Sequence, residues 1–368
     1  MNKMRICFCI DKLDSGGAER VLTTLANEFS KLDCDVCLIE TSSRGSTPFY
    51  KIDKEVEHIQ LLSSIEKKVN LFKKIKLLRK EIKRIKPDVV VTFKYPVNIY
   101  TAFALVNIKC VHIVSERNNP YTYSVGRISN FLKKPIFKSA DGCVFQTQDA
   151  MKYYFKKNNQ KAIIIPNPVE SSESTLWEPI KKRKQTIISV GRLVPQKNTK
   201  LLIDAFEDFN QMEPNYVLKI YGTGILQDEL IDYAKTKKCG SSVLFLGNSS
   251  SWMQENKDAS LFVLSSDYEG MPNSLMEAMA IGLPCISTDC PIGGPRYLIQ
   301  DGVNGFLVKT NDKMDLVDKM CTLVRNKNLS FSFSYANKDM IEKYSKEVIA
   351  KEWYGFVKDI YERKFDER

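Results

Sequence analysis

A chain of 368 residues with 43% apolar and 27% charged side chains, no low-complexity tract and no repeat is globular and longer than a single core usually supports, so two domains are expected. No apolar run approaches the roughly 18 residues of a membrane-crossing helix, and ten cysteines scattered through apolar segments fit a reducing cytoplasm better than a disulfide framework. The net charge of +11 belongs to the first half: residues 1–170 hold 29 Lys and Arg against 17 Asp and Glu, and the remainder 26 against 27, which suggests an acidic partner for the first half.

The opening MNKMRICFCI reads as a strand, not as a leader, since it runs directly into Asp11. Gly16-Gly17 follows at a strand-to-helix turn, and a helical stretch runs from Glu19 to Lys31. Glycines there let backbone approach a phosphate, although glycine turns are common. Cys34-x-x-Cys37 lacks a second pair at zinc-site distance, and Asp33-Cys34-Asp35, which has the form of a metal-binding D-x-D, reads as a turn into the strand DVCLIE; no metal site is expected. The segment 71–86 places Leu71, Ile75, Leu78, Ile82 and Ile85 at helical spacing with lysines and arginines between them, giving a basic amphipathic helix whose apolar stripe packs on a core. Further strand-like runs, PDVVVTF, VHIVSE, GCVFQT and AIIIPNPV, complete a β/α rhythm, and NFLKKPIFK (130–138) adds a second basic and apolar patch. His112 within VHIVSE is expected to be a core or capping histidine.

After a polar stretch the rhythm restarts with TIISVGRL, YVLKIYGTG, SSVLFLG, ASLFVLSS, LPCISTD and GFLV. The expected organisation is a first Rossmann-like domain over 1–168, a linker over 169–184, a second over 185–345, and a terminal helix over 346–368 that could cross back to the first domain. Gly191-Arg192 with Lys197 puts one planar and one flexible cation after a strand, suited to a diphosphate; alone, they read better as two solvated surface charges. Gly222-Thr223-Gly224 would suit a nicotinamide enzyme, but Gln227 stands where the third glycine is needed.

The most informative segment is LFVLSSDYEGMPNSLMEAMAIGL, residues 261–283. A strand runs into a loop carrying Glu269, then a helix start near Ser274 carrying Glu277. Ser274-Leu-Met-Glu277 fits a capping box, so Glu277 either closes the helix end or binds a ligand. Free N–H groups and the dipole at such a helix start favour a phosphate. Two glutamates also permit a glycoside hydrolase that uses Glu269 and Glu277 as its acid and its nucleophile or base. A non-catalytic module binding sugar or membrane is a third reading.

Glu269-Gly-Met-Pro-Asn-Ser-Leu-Met-Glu277, with Gly16-Gly17-Ala18-Glu19-Arg20, Gly191-Arg192-Leu193 and Lys197, Tyr221-Gly222-Thr223-Gly224 and Gly293-Gly294-Pro295-Arg296 in order, resembles the retaining family-4 glycosyltransferases over nearly the whole chain. The resemblance implies a GT-B α/β fold of two Rossmann-like domains facing a cleft, and transfer of a hexose or N-acetylhexosamine from a nucleotide sugar, most readily UDP-linked, with no cofactor. It implies that Arg192 and Lys197 contact the donor diphosphate, Glu277 the ribose, Glu269 the donor sugar, and the backbone of Gly270, Met271, Pro272, Asn273 and Ser274 completes the pocket. Retention in the family is described as attack from the leaving-group side, the departing diphosphate helping to take the acceptor proton.

Two departures stand out. Many relatives carry His-Asp after the fourth strand, where this chain has Ser115-Glu116-Arg117-Asn118, a form resembling a subset of bacterial polysaccharide enzymes. Glu116 is therefore a candidate for orienting the acceptor hydroxyl or contacting the sugar near the reacting carbon, with Arg117 as its partner, a structural salt bridge being the alternative. Tyr297 replaces an acidic residue common after Gly-Gly-Pro-Arg. The acceptor implied is lipid-linked or an oligosaccharide, the first domain would lie on an anionic membrane, and no nucleic-acid motif accompanies the lysines. The expected location is the cytoplasm, at the inner face of the cell membrane.

Overall fold

The computed structural model describes residues 3–42, 45, 47–62, 70–121, 127–156, 159–169 and 182–366, so most of the expected linker lies outside the described residues. The chain divides into two compact units, Met1–Pro168 with Lys346–Arg368, and Val169–Ser345. The first is built on seven strands, β1 (Met4–Ile10), β2 (Cys34–Glu40), β3 (Glu57–Gln60), β4 (Val89–Phe93), β5 (Val111–Ser115), β6 (Gly142–Phe145) and β7 (Ala162–Ile164). Their order is β3-β2-β1-β4-β5-β6-β7 and every pairing is parallel. All five residues of VVVTF in β4 are buried, as helices covering both faces of a parallel sheet require.

The second unit repeats the plan with β8 (Lys184–Val190), β9 (Val217–Tyr221), β10 (Val243–Gly247), β11 (Ala259–Leu264), β12 (Cys285–Thr288) and β13 (Phe306–Val308), in the order β10-β9-β8-β11-β12-β13. This is an α/β fold of two Rossmann-like sheets. In each sheet the strand order reverses once, between β1 and β4 and between β8 and β11. Ligands of open α/β sheets bind at the carboxyl ends of the strands flanking such a reversal.

The terminal helix Lys346–Asp366 packs on the first unit. Ile349, Trp353, Val357 and Ile360 recur on one face and are buried, and the Trp353 ring lies 5.6 Å from that of Phe93. Lys364 Nζ donates to Asp141 Oδ2 at 2.6 Å and to the Cys110 carbonyl at 2.8 Å, tying down the far end.

The basic helix is present over Leu71–Ile85, begun by Asn70, whose side chain accepts from the Lys73 amide. Ile75, Leu78, Ile82 and Ile85 pack on the core as expected. Leu71 does not: it is exposed beside Phe72, which is 82% exposed. Packing on the core begins at Ile75, so the apolar stripe is a turn shorter than its periodicity suggested. Cys34 and Cys37 sit on β2, where a spacing of three points side chains to opposite faces, so they cannot form one site; all ten cysteines are free and buried. Among the described residues no cluster suits a metal ion, and no helix is long and apolar enough to cross a membrane.

Candidate active site

In the second unit, Gly191, Arg192 and Lys197 follow β8, and Glu269 to Glu277 follow β11, so adjacent strands at the reversal bring the two motifs together. Lys197 Nζ meets Glu269 Oε1 at 2.6 Å, with side chains 16% and 7% exposed. Glu269 is held from further sides: Ser266 Oγ donates to Oε1 at 2.7 Å, and Gln196 Nε2 lies 3.4 Å from Oε2 while donating to the Tyr268 carbonyl at 2.9 Å. The Lys197 side chain crosses Gly191, where an added Cβ would stand 3.0 Å from Lys197 Cε. Arg192 is exposed and its side chain joins no described residue, so it is not part of this pair.

Glycines set the loops. Gly222, at φ 125°, and Gly224 lay their backbones so close to Gly191 and Leu193 that any Cβ would collide with those carbonyls. The ladder is completed by Gly191 N–H to the Tyr221 carbonyl at 3.0 Å and Leu193 N–H to the Thr223 carbonyl at 2.9 Å. Gly-Thr-Gly thus buttresses the Gly191 loop, a local reason for its glycines that needs no dinucleotide.

The glutamate loop is fixed in the same way. Glu269 N–H donates to the Pro291 carbonyl at 2.7 Å, Ile292 N–H returns to the Glu269 carbonyl at 3.2 Å, and Gly294 presses against Gly270. The following helix spans Asn273–Ala280 with Pro272 at its N-cap and no side-chain cap. The capping box is therefore not formed, because Ser274 lies one residue inside a helix that begins at Asn273. Five other helices, starting after Asn70, Thr147, Asn198, Asp312 and Asn326, do receive side-chain caps. Glu277 is buried, at 4% exposure, on the fifth residue of this helix.

In the first unit, Gly16 is the N-cap of the helix Gly17–Lys31, which also lacks a side-chain cap. The Glu19 carboxylate folds over Gly16, where a Cβ would collide with it, and pairs with Lys94 after β4. Lys94 holds φ 70° at the strand end, a conformation that non-glycine residues rarely adopt. Each sheet thus carries a lysine–glutamate pair at its reversal; neither Lys94 nor the roles of Glu19, Gln196 and Ser266 were apparent from spacing.

Glu116 and Arg117 follow β5 but do not pair side chain to side chain, which corrects the expected pairing between them. Glu116 is 2% exposed; its Oε1 accepts from the backbone N–H of Arg117 at 3.0 Å and of Asn118 at 3.1 Å, and its Oε2 accepts from the Tyr154 hydroxyl. Burial raises its pKa against these hydrogen bonds. Arg117 turns instead toward the terminal helix: its guanidinium stacks 4.2 Å from the Phe93 ring centre and 5.5 Å from Trp353, and donates to Asn167 Oδ1 at 2.8 Å. Hydrogen bonds from its own following backbone make Glu116 a lock on the Ser115–Asn119 turn. His112 is buried, 3.1 Å from Thr92 Oγ1, with its pKa lowered by burial to about 4, as a core histidine.

A model of Glycosyl transferases group 1 matches residues 176–340, and one of Glycosyltransferase Family 4 matches 15–173. An uncharacterized glycosyltransferase of Haemophilus influenzae is 29% identical, covering 96% of this chain and 99% of its own length. An N-acetyl-D-galactosaminyltransferase of Campylobacter jejuni, named for a saccharide on diNAcBac-PP-undecaprenol, is also 29% identical over 97% of this chain and 99% of its own. The crystal structure of Anabaena HepE in complex with UDP-glucose superposes with a TM-score of 0.78 at 16% identity, covering 97% of this chain and 100% of that one.

Proposed function

We propose that this chain, which belongs to the glycosyltransferases of group 1 and family 4 and has their GT-B fold, moves a hexose or N-acetylhexosamine from a UDP-sugar to a lipid-linked or oligosaccharide acceptor in glycan assembly, with retention at the anomeric carbon. The observation that carries the reading is the meeting of Lys197, the Gly191 loop and the uncapped helix Asn273–Ala280 at the reversal between β8 and β11. A cation, close backbone and a helix start without a side-chain cap together suit a diphosphate. Ribose is assigned to Glu277, which lies inside the helix and does not close its end, and Arg192 reaches the diphosphate from solvent.

Support for retention without a protein nucleophile comes from the carboxylates. Glu269 is held by Ser266 and Gln196 apart from Lys197, and both oxygens of Glu116 are engaged by its own turn and Tyr154. Neither is set up as a general base, which leaves the departing diphosphate as the group best placed to accept the acceptor proton, with Lys197 stabilising the leaving oxygen. The undecaprenol-linked substrate named for the Campylobacter relative favours a lipid carrier. An anionic membrane surface suits the first unit, where Phe72 and Phe131 are about four-fifths exposed and Lys76, Lys80 and Lys83 have no acidic partner among the described residues.

The test is a transfer assay with UDP-glucose, UDP-galactose and their N-acetylated forms on polyprenyl-diphosphate saccharides, with product configuration read by NMR. An α-linked product from an α-donor, lost in Lys197→Met and Glu269→Ala, supports the proposal. A β-linked product refutes retention, and nucleotide-independent cleavage of unactivated glycosides favours the hydrolase.

A further inference from the structure

The Lys197–Glu269 pair raises a question that the transfer reaction alone does not answer: where does the charge of each go when a donor arrives? Both side chains are largely withdrawn from water, and no other described carboxylate touches Lys197. A diphosphate binding to Lys197 must therefore displace a carboxylate already there. Glu269 would not be stranded, because Ser266 and Gln196 hold it independently of the lysine. What the exchange vacates is one lone-pair site on Oε1, open to a hydroxyl donor.

We infer that Glu269 is a placeholder for the donor's diphosphate: in the empty site it neutralises Lys197, on donor binding it yields the lysine to phosphate and turns its vacated oxygen to a sugar hydroxyl, and after transfer it reclaims the lysine and helps expel the nucleotide. The inference rests on the nucleotide-sugar reading above. It adds that the carboxylate distinguishes donor from product. A UDP-sugar compensates both partners of the broken pair, lysine through phosphate and glutamate through the sugar. UDP compensates only the lysine, so it binds against a competing anion. The fold's other sheet carries the same arrangement, with Glu19 on Lys94 over Gly16 at the other reversal, so a carboxylate resting on the lysine beside an uncapped helix start occurs twice in this chain.

Removing the carboxylate charge while keeping its shape leaves Lys197 partly buried without a counter-ion, a state that an incoming diphosphate relieves. Glu269→Gln is thus expected to lower the thermal midpoint of the free protein yet bind UDP and inorganic pyrophosphate roughly tenfold more tightly than the parent, by calorimetry. In the Lys197→Met background the same change should give no gain, since the competition has no object. Glu269→Asp, which shortens the arm and separates the pair, gives a second reading of the same effect should the glutamine variant not fold. A merely structural Glu269 predicts the opposite sign, weaker binding in a loosened loop. If the parent binds UDP or pyrophosphate and the Glu269 variants bind them no more tightly, the placeholder is refuted while the nucleotide-sugar reading stands. If the parent binds neither, the reading itself falls and the placeholder with it.

Discussion

Replacing Gly294 by alanine is a severe test of how the glutamate loop is held. A Cβ there would lie 2.7 Å from the Gly270 carbonyl carbon and 2.9 Å from Pro272 Cδ, with the Gly270 oxygen nearer still, where ordinary contact begins at 3.4 Å. The shortfall to the carbon alone is 0.7 Å, and the obstacle is backbone, which cannot rotate away. The segment 270–272 must then move, carrying with it Glu269 and the start of the helix Asn273–Ala280. Overpacking of this kind costs about 1–3 kcal/mol. At about 2–4 °C per kcal/mol for a unit of this size, the thermal midpoint should fall by roughly 2–12 °C. The displaced loop and helix start should also hold UDP at least about tenfold more weakly, a loss of about 1.4 kcal/mol in binding. Differential scanning fluorimetry and calorimetry read the two effects. Gly355→Ala is the internal control, because its Cβ meets nothing within 4 Å on an exposed helical position. It should leave binding unchanged and raise stability by up to about 1 kcal/mol. A Gly294→Ala protein with parental midpoint and UDP affinity would refute the argument that this close approach positions the site.

Three further outcomes are expected. His112 has a folded pKa of about 4, below the ordinary 6.5, so the unfolded state takes up its proton first as pH falls; its contribution is intact above about pH 6.5 and lost progressively toward pH 4, roughly 3 kcal/mol in full, and the difference in unfolding free energy between parent and His112→Gln should change across that window and be flat above it. Arg117→Lys loses the planar stack between Phe93 and Trp353 and should lower unfolding free energy by about 1–3 kcal/mol in urea, whereas an unchanged midpoint would mean the stack contributes nothing. Parent protein should float with anionic liposomes and lose this on Phe72→Ser with Lys76→Glu and Lys80→Glu, in a salt-dependent manner; failure of the parent to float at low salt removes the membrane surface from the account.

Much of the fold was legible because parallel strands covered on both faces are continuous apolar runs, and twelve of the thirteen strands fall within runs visible in the sequence. The exception, β3, reads Glu-His-Ile-Gln, and as an edge strand only partly buried it has no hydrophobic signature. The site motifs were legible as residues but not as partners. Lys197 and Glu269 are 72 positions apart, and only the adjacency of β8 and β11 makes them an ion pair. Arg117 and Glu116 misled in the opposite direction: sequence neighbours of opposite charge invite pairing, yet Trp353, supplied from the far end of the chain, draws the guanidinium away. The capping box failed for a local reason that was visible, since Pro272 in an extended conformation starts the helix two residues earlier than Ser274 as its cap requires.

The central claim is that a nucleotide diphosphate binds where Lys197 meets the Gly191 loop and the helix Asn273–Ala280. Thermal unfolding of the parent and of Lys197→Met against a panel of nucleotide sugars tests it most directly. A UDP-sugar at about a hundred times its dissociation constant should stabilise the parent by about 2.7 kcal/mol, a shift of several degrees, and leave the Lys197→Met midpoint almost unmoved. No shift with any nucleotide sugar at millimolar concentration, or an equal shift in both proteins, would contradict it.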